Sequence, residues 1–398
     1  MMKPLSGVKV LDFTRQMAGP MAAQFLSDYG ADVVKFEATP TGDPARRTGT
    51  DFVGDESTLF LMWNHGKRSL AADLRNPRGL EIAQRLGRQV DVVIENFRPG
   101  VADRIGIGYD MLSAGNPGLV YVSISAFGEG PLAPYPGTDP VVQAMSGVMS
   151  VTGEPNGGPN LVGVPIADFT AANLGGQAAL LGLLARERTG RGQKVGVSML
   201  SGLLTSLTTR LASYWATGED PKRFGSAHSV VAPYEAFQTS DGYAVAGVWG
   251  PNGWPAFCEA IGRPELVDDP RFATNIDRVR NRTEITKIIA DEMIQRPTSY
   301  WEHEFQSRDV LFSPVMSFSE ILAHPHVVQS GIIQEVEHSS LGTIKQVGPA
   351  VTLSETPASI SGPPPRLGEH SEEVLREFGF AAAEIADLED AGVVVQAL

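Results

Sequence analysis

A single carboxylate precedes a long run of small residues in the middle of the chain. The stretch from Val162 to Leu200 passes through an apolar approach to Asp168 and continues as a helical pattern rich in alanine and glycine. An aspartate at a helix start is most simply an N-cap, whose side-chain oxygen accepts hydrogen bonds from first-turn amides. A carboxylate there could also act as an acid, a base or a nucleophile toward an activated acyl group. The residues alone leave both interpretations of Asp168 open.

The helix that follows Asp168 carries small residues where most helices have larger ones. A glycine in a helix interior costs on the order of 1 kcal/mol relative to alanine, so two adjacent glycines need a compensating contact. Either another backbone or a thin ligand could lie against such a face. The small residues are Ala171, Ala172, Gly175, Gly176, Ala178 and Ala179.

Clusters of basic residues could receive an anionic group. In an acidic chain, a local positive patch near a strand end fits a phosphate site, although solvated charges on helix faces explain the same pattern. Asn96 and Phe97 are the last residues of a predicted strand and add an amide for hydrogen bonding and a ring for stacking. The basic residues are Arg46, Arg47, Lys67, Arg68, Arg75, Arg78, Arg98 and Arg104.

Several common chemistries lack their motifs in this chain. No Gly-x-Gly-x-x-Gly follows the first predicted strand, and neither a phosphate-binding P-loop nor a Gly-x-Ser-x-Gly elbow is present. The seven histidines are scattered, and His324 and His326 do not have the spacing of about four residues of a helical metal pair. The sequence therefore predicts no metal site, and it disfavours a nicotinamide-dependent oxidoreductase or a serine hydrolase.

Composition and charge indicate a folded protein that does not bind nucleic acid. Of 398 residues, 42% are hydrophobic and 20% charged, which is typical of globular proteins. The formal net charge of -14 repels phosphate backbones and anionic lipids. The N-terminus lacks the apolar core of a signal peptide, and no run reaches the roughly 18 to 20 apolar residues of a membrane span. We therefore expect a cytoplasmic location, and we expect the single cysteine, Cys258, to be a buried apolar residue.

The first part of the chain alternates between β-branched runs and helical patterns. This alternation predicts an α/β fold with a Rossmann-like doubly wound parallel sheet, whose ligands bind at the carboxyl ends of the strands. The predicted strands are Val8 to Phe13, Ala31 to Glu37, Asp91 to Phe97 and Leu119 to Phe127, and the predicted helices are Gly19 to Gly30 and Asn76 to Val90.

Beyond residue 215 the pattern changes to that of a smaller α+β domain. A hairpin is predicted from Tyr234 to Trp249 around an Asp-Gly turn, followed by helices, and a second hairpin from Ile332 to Gly348. The predicted domains are 1–215 as the N-terminal part of a large domain, 226–325 as a small α+β domain, and 335–398 as a C-terminal segment that returns to the large domain.

Taken together, the motifs resemble those of the class III CoA-transferases, the CaiB/BaiF group that includes formyl-CoA:oxalate and carnitine CoA-transferases. The resemblance covers nearly the whole chain in the expected order. The matching stretches include LSGVKVLDFTRQMAGP, YGADVVKFE, NHGKRSLAADLRNPRG, VVIENFRPGVADRIGIGYD, ADFTAANLGGQAALLGLLARERTGRGQKVGVSML and PPPRLGEHSEEVL.

This resemblance implies that Asp168 is a catalytic nucleophile that forms anhydride and aspartyl-CoA thioester intermediates. The resemblance further places Asp139 close to the nucleophile, where it orients the acceptor or water. Acyl-CoA and a small carboxylic acid are then the substrates, with a dicarboxylate favoured as the acid, and no cofactor is tightly bound. The residues implied in coenzyme A binding are Gln16, Arg75, Asn96, Phe97, Arg104 and Met199.

Three finer expectations follow from the resemblance. The pantetheine arm of CoA approaches along the small-residue face after Asp168, and the first-turn amides of that helix stabilise anionic charge on reacting carbonyls. Family members can carry a basic residue just after the second strand, where this chain has Ala38, so that one phosphate contact is either missing or moved to Arg46 or Arg47. A glycine-rich covering loop has its nearest, weak counterpart in Gly247 to Trp254.

Acyl-CoA racemases of the same fold are the alternative function. They use a Gly-His-Asp motif to move an α-proton, whereas this chain has Gly137-Thr138-Asp139. Threonine does not titrate near neutral pH, so two-base racemisation is disfavoured. A non-catalytic CoA-binding protein is a further alternative. The resemblance also implies an interlocked homodimer, in which each ring-shaped chain threads the other.

Overall fold

The computed structural model describes residues 2–250 and 252–397. Three positions named in the predictions lie outside the described residues. They are residues 1 and 398, which are the outer bounds of the predicted domains, and residue 251 of the predicted covering loop Gly247 to Trp254. The strands are β1 Lys9–Asp12, β2 Asp32–Glu37, β3 Phe52–Val53, β4 Glu56–Ser57, β5 Arg68–Ala72, β6 Val92–Glu95, β7 Val120–Ser125, β8 Gln193–Ser198, β9 Tyr234–Gln238, β10 Tyr243–Gly247, β11 Leu311–Pro314, β12 Ile333–His338, β13 Gly342–Val347 and β14 Val394–Val395.

The helices are distributed along the whole chain between these strands. They are α1 Ala18–Asp28, α2 Thr58–Trp63, α3 Pro77–Gly87, α4 Val101–Ile105, α5 Tyr109–Ser113, α6 Asp139–Ser146, α7 Val148–Val151, α8 Ile166–Thr189, α9 Met199–Ser206, α10 Thr208–Thr217, α11 Gly253–Ala260, α12 Asn275–Arg280, α13 Arg282–Met293, α14 Thr298–Gln306, α15 Phe318–Ala323, α16 Pro325–Ser330, α17 Ser371–Glu377 and α18 Ala382–Asp390. In the described ranges, no helix has the length and apolar character needed to cross a membrane.

A mixed sheet with a large parallel part organises the first compact unit. Its strand order is β14-β5-β2-β1-β6-β7-β8, and neighbouring strands are parallel except for β14, which runs antiparallel to β5. The direction of strand addition reverses between β1 and β6, which is the order typical of doubly wound sheets. The prediction of an α/β fold with a parallel sheet is confirmed.

Both faces of this sheet are covered, as the apolar strands require. Successive residues of a strand point to opposite faces, and Val10 and Leu11 of β1 accordingly belong to different apolar clusters. One cluster includes residues of α1 and α8, and the other includes residues of α3, α17 and α18. Continuous apolar runs such as Val92 to Ile94 are therefore buried on both sides.

The chain divides into two compact units. The first comprises the chain up to Val148, Leu161–Trp215 and the chain from Val328 onward, and the second comprises Met149–Asn160 and Ala216–Val327. The second unit contains the antiparallel sheet β11-β10-β9, in which β9 and β10 form the hairpin predicted from the Asp-Gly turn. Cys258 is buried in its apolar core, where burial raises the pKa of the thiol to about 12.

Candidate active site

A cavity of about 930 Å³ lies at the carboxyl ends of three neighbouring strands. It is lined by residues that end or follow β1, β6 and β7 and by residues at or just before the starts of α6, α8 and α9. Because β1 and β6 are the strands between which the order reverses, the cavity lies where doubly wound sheets bind their ligands. Its lining residues in the described ranges all belong to the first compact unit.

Asp168 is the third residue of α8 and lines this cavity. Pro165 holds the N-cap position, so the interpretation of Asp168 as the N-cap is wrong. Burial, and then the negative charge of Asp139, raises the pKa of Asp168 to about 6. Within the described part of the chain, no donor or cation contacts its carboxylate oxygens. A half-buried, unpaired carboxylate with a raised pKa is the combination expected of a reactive group.

Asp139 supplies the cap that Asp168 does not. Its Oδ1 accepts hydrogen bonds from the backbone amides of Ala167, at 2.7 Å, and Asp168, at 3.3 Å. Its Oδ2 accepts from Gln143 Nε2 at 2.6 Å, and Gln143 Oε1 in turn accepts from the Val162 amide at 2.9 Å. The buried side chain of Asp139 therefore joins the start of α6 to the start of α8 and holds the loop before Asp168.

The first-turn amides of α8 are engaged within the protein. Besides the two amides that Asp139 accepts, Ile166 N donates to Val164 O at 2.7 Å and Phe169 N donates to Pro165 O at 2.9 Å. The expectation that these amides stabilise charge on reacting carbonyls is therefore wrong, since each already has an internal partner.

The small residues of α8 serve packing against other elements. A Cβ atom on Gly175 would lie 2.8 Å from Ala22 Cβ of α1, and one on Gly176 would lie 2.7 Å from Phe25 Cδ1. The small residues from Ala171 to Ala179 are buried, and none of them lines the cavity. The expected approach of the pantetheine arm along this face is wrong, because α1 and β7 already occupy it.

The segment after β1 is held in a defined shape at the cavity wall. The Arg15 amide donates to Asn96 Oδ1 at 2.8 Å, and Asn96 Nδ2 donates to the Arg15 carbonyl at 2.8 Å. Gln16 has a φ of 64°, in the left-handed region that non-glycine residues seldom adopt, and its amide donates to Asp43 Oδ1 at 3.0 Å. Asn96 therefore uses its amide group to position this segment.

Two buried ion pairs lie next to the segment of Arg15 and Gln16 that follows β1. Lys35 Nζ lies 2.9 Å from Asp43 Oδ2, and Lys67 Nζ lies 2.8 Å from Asp12 Oδ2, all four side chains being almost fully buried. Burial lowers the pKa of Lys67 to about 8 against the opposing effect of Asp12. Each of these buried charges lies beside a charge of opposite sign, which offsets the cost of burial and holds Asp43 next to the Gln16 amide.

Arg46 is committed to the interior. Its guanidinium bonds Glu37 at 2.7 Å and Glu56 at 2.8 Å, and it also donates to the carbonyl of Pro365 at 3.0 Å. The expected phosphate contact at Arg46 is therefore wrong. Arg47 is exposed and remains a candidate.

The structure brings six of the eight candidate residues around one cavity and leaves two outside it. Arg75 has a side chain that is 81% exposed and paired with Asp73, and Arg104 is exposed on α4. Neither arginine lines the described cavity wall. The six that do line it are Gln16, Asn96, Phe97, Asp139, Asp168 and Met199.

Sequence reasoning missed three residues at or beside this site. Arg15 lines the cavity, and its guanidinium lies 5.1 Å from the centroid of the Phe97 ring. Gln143 completes the Asp139 network. Burial raises the pKa of Glu95 to about 7, and this carboxyl accepts a hydrogen bond from the Phe97 amide at 2.7 Å. Arg15 carried a usable signal, since it lies beside Gln16 just after a predicted strand.

Within residues 2–250 and 252–397, no cluster of three or more histidine, cysteine, aspartate or glutamate side chains could hold a metal ion.

Comparison with known proteins decides the family. The model of CoA-transferase family III matches residues 5–371. The chain belongs to this family. The resemblance found in the sequence motifs is thereby confirmed, and the protein is a family III CoA-transferase.

Individual relatives cover almost the full length of this CoA-transferase. Human succinyl-CoA:glutarate CoA-transferase is 37% identical over 99% of this chain and 90% of its own. Formyl-CoA:oxalate CoA-transferase of Streptomyces avermitilis is 35% identical over 99% of this chain and 100% of its own. A solved CaiB/BaiF family protein from Brucella suis is 34% identical and aligns with a TM-score of 0.85, covering 95% of this chain and 100% of its own.

Proposed function

We propose that this enzyme transfers CoA from an acyl-CoA thioester to a carboxylic acid through covalent intermediates on Asp168. The observation that carries the proposal is the unpaired Asp168 carboxylate, with its pKa raised to about 6, in the cavity at the strand ends. Family membership over residues 5–371 supports CoA transfer as the overall reaction.

In the first half of the reaction, the Asp168 carboxylate attacks the carbonyl carbon of the donor thioester. The C–S bond breaks, CoA leaves as a thiolate, and a mixed anhydride joins Asp168 to the donor acyl group. The thiolate then attacks the Asp168 carbonyl carbon of the anhydride. The donor acid leaves as a carboxylate, and Asp168 carries CoA as a thioester.

The second half repeats these steps in reverse order with the acceptor. Its carboxylate attacks the aspartyl-CoA carbonyl carbon and releases the thiolate, which gives an anhydride between Asp168 and the acceptor. Attack of the thiolate on the acceptor carbonyl yields the new acyl-CoA and restores the Asp168 carboxylate. The acyl activation is kept at each step because anhydride and thioester are both reactive acyl derivatives, whereas a serine ester would be too stable to regenerate a thioester.

We assign Asp139 a positioning role within this mechanism. Both of its carboxylate oxygens accept hydrogen bonds from the protein, so the side chain is held between α6 and the start of α8. The charge of Asp139 raises the pKa of Asp168 in addition to the effect of burial, which makes the Asp168 carboxylate more basic. Removing Asp139 would therefore change both the place and the reactivity of the nucleophile.

We propose that CoA enters the cavity with its thiol end, as substrate and not as a bound cofactor. Phe97 and Met199 provide apolar contacts for pantetheine or the acyl group, and Gln16 provides a side-chain amide at the wall. The nucleotide end extends outside, where Arg75 and Arg104 are exposed and can pair with phosphate oxygens.

We propose a small dicarboxylic acid as the acceptor. The support is that relatives similar over nearly the whole chain are named for glutarate and oxalate. The racemase alternative gains no support from the site, because Thr138 stands at the position of the racemase histidine and is the N-cap residue of α6.

We further propose that the enzyme is a homodimer, and interlocking of its chains stays a prediction. Support comes from α8, where Leu181 is 64% and Leu184 46% exposed, since runs of exposed apolar side chains mark association surfaces. Light scattering coupled to size-exclusion chromatography should then give a mass of twice 42.5 kDa, whereas a monomer mass would exclude the dimer.

Isotope transfer tests the mechanism. When both oxygens of the acceptor carboxylate are oxygen-18, the second anhydride leaves one labelled oxygen on Asp168 after each turnover. Digestion and mass spectrometry should find the label in the peptide that contains Asp168. Direct transfer within a ternary complex would leave that peptide unlabelled and would exclude the covalent route.

A further inference from the structure

We propose that Arg15 binds the second carboxylate of a dicarboxylic acid whose first carboxylate reacts at Asp168. Among the described residues that line the cavity, Arg15 is the one cation. The inference rests on the proposed transfer reaction, and it names the residue that selects the class of acid.

The acidic lining of the cavity makes a cation necessary for binding a dicarboxylate. Asp139 and Asp168 are its acidic lining residues, and Asp139 is satisfied by hydrogen bonds from within the protein. A dicarboxylate that approaches Asp168 brings two further negative charges into a partly desolvated space. A cation in the wall offsets this repulsion for the carboxylate that does not react.

Arg15 is held in place by its surroundings. Two backbone hydrogen bonds with Asn96, each 2.8 Å long, fix its main chain, and the guanidinium lies against the ring of Phe97. The next residue, Gln16, is fixed by Asp43. A cation that is already oriented loses little conformational freedom when a ligand binds.

The guanidinium of Arg15 is also available. Across the described ranges, no carboxylate lies within ion-pairing distance of it, whereas Arg46, which follows β2, and Arg68 of β5 are paired with acidic side chains. A planar guanidinium can bind a carboxylate through two parallel hydrogen bonds. The remaining source of anions is CoA itself, whose phosphates could occupy Arg15 in place of the acid.

Binding measurements on a variant that cannot react separate these two sources. Isothermal titration calorimetry would measure the affinities of glutarate, butyrate and CoA for two proteins. One is the D168N enzyme, and the other is the D168N enzyme that also carries Arg15→Gln. Glutarate and butyrate differ in the second carboxylate. We expect the preference for glutarate over butyrate to fall by roughly 10- to 100-fold, the range for loss of a charge-assisted pair, while CoA affinity stays unchanged. Arg15→Lys keeps the charge without the fork and should give an intermediate preference.

The matched control is Arg191→Gln, which removes an exposed arginine. Arg191 precedes the amino end of β8, whereas the cavity lies at the carboxyl ends of the strands. It should leave the glutarate preference and the CoA affinity as they are in D168N. Equal losses for glutarate and butyrate on Arg15→Gln, or a loss confined to CoA, would overturn the assignment of Arg15. Because the assay needs no turnover, its failure is distinct from failure of the mechanism, which the isotope experiment decides.

Discussion

Replacing Asp168 with asparagine should stabilise the protein while it abolishes transfer. The folded structure raises the pKa of this carboxyl from 3.8 to about 6, so the folded state binds the proton more tightly than the unfolded state does. Ionisation of Asp168 therefore weakens folding at neutral pH. Asparagine is neutral, has nearly the same shape, and gives up no hydrogen bond that the described residues make to the carboxylate.

The size of the effect follows from the pKa difference. One pKa unit corresponds to about 1.4 kcal/mol, so ionised Asp168 should cost roughly 3 kcal/mol near pH 7.5 and about half of that near pH 5. The cost is absent below the unfolded pKa and complete above the folded pKa. The gain from D168N should follow the same dependence on pH.

Urea unfolding of wild type, D168N and D110N at one protein concentration and at both pH values would measure this gain. Asp110 is exposed on α5, so D110N controls for removing one negative charge from the surface. Lower stability of D168N than of wild type, or the same gain at both pH values, would refute the reasoning that burial and Asp139 hold this carboxylate in an unfavourable charged state.

Three further outcomes are expected from the same geometry. The kcat/KM for transfer should fall as the pH drops through about 6, because only the ionised Asp168 attacks; a flat profile down to about pH 5 would contradict this role. Asp139→Ala removes the cap of α8 and should cost about 1–2 kcal/mol in unfolding free energy together with at least ~10-fold in kcat; normal kcat would show that the cap does not position Asp168. Gly175→Ala should lower the free energy of unfolding by about 1–3 kcal/mol, because the added methyl group crowds Ala22. The control Gly196→Ala has open space around its Cβ position and should unfold thermally close to wild type. Equal effects of the two substitutions would argue against packing as the reason for glycine at position 175.

The main sheet was partly predictable because its central strands have strong local signals. β1, β2, β6 and β7 are β-branched, buried runs. The structure adds β5, β8 and β14, which sequence reasoning missed. β5 reads Arg-Ser-Leu-Ala-Ala, with small residues and no β-branched side chain, and β8 is an edge strand with exposed polar residues and a glycine. Such strands are specified by their neighbours in the sheet and have weak signals of their own.

At the site, the helix start before the small residues marked the position of Asp168, but the contacts around it could not be derived locally. The cap comes from Asp139, which is distant in sequence and belongs to another helix. The face formed by Gly175 and Gly176 has its reason in α1, which no spacing reveals. Arg46 looked like a free cation, and only the folded chain shows it buried against Glu37. Tertiary partners, absent from any local pattern, decided each of these cases.

Trapping the enzyme during turnover tests the central claim most directly. Wild-type protein incubated with an acyl-CoA donor and then with hydroxylamine should gain a hydroxamate on Asp168, since hydroxylamine attacks both the anhydride and the aspartyl thioester. D168N should stay unmodified and D110N should behave as wild type. Active enzyme that transfers CoA and yet never acquires the modification at Asp168 would contradict the account.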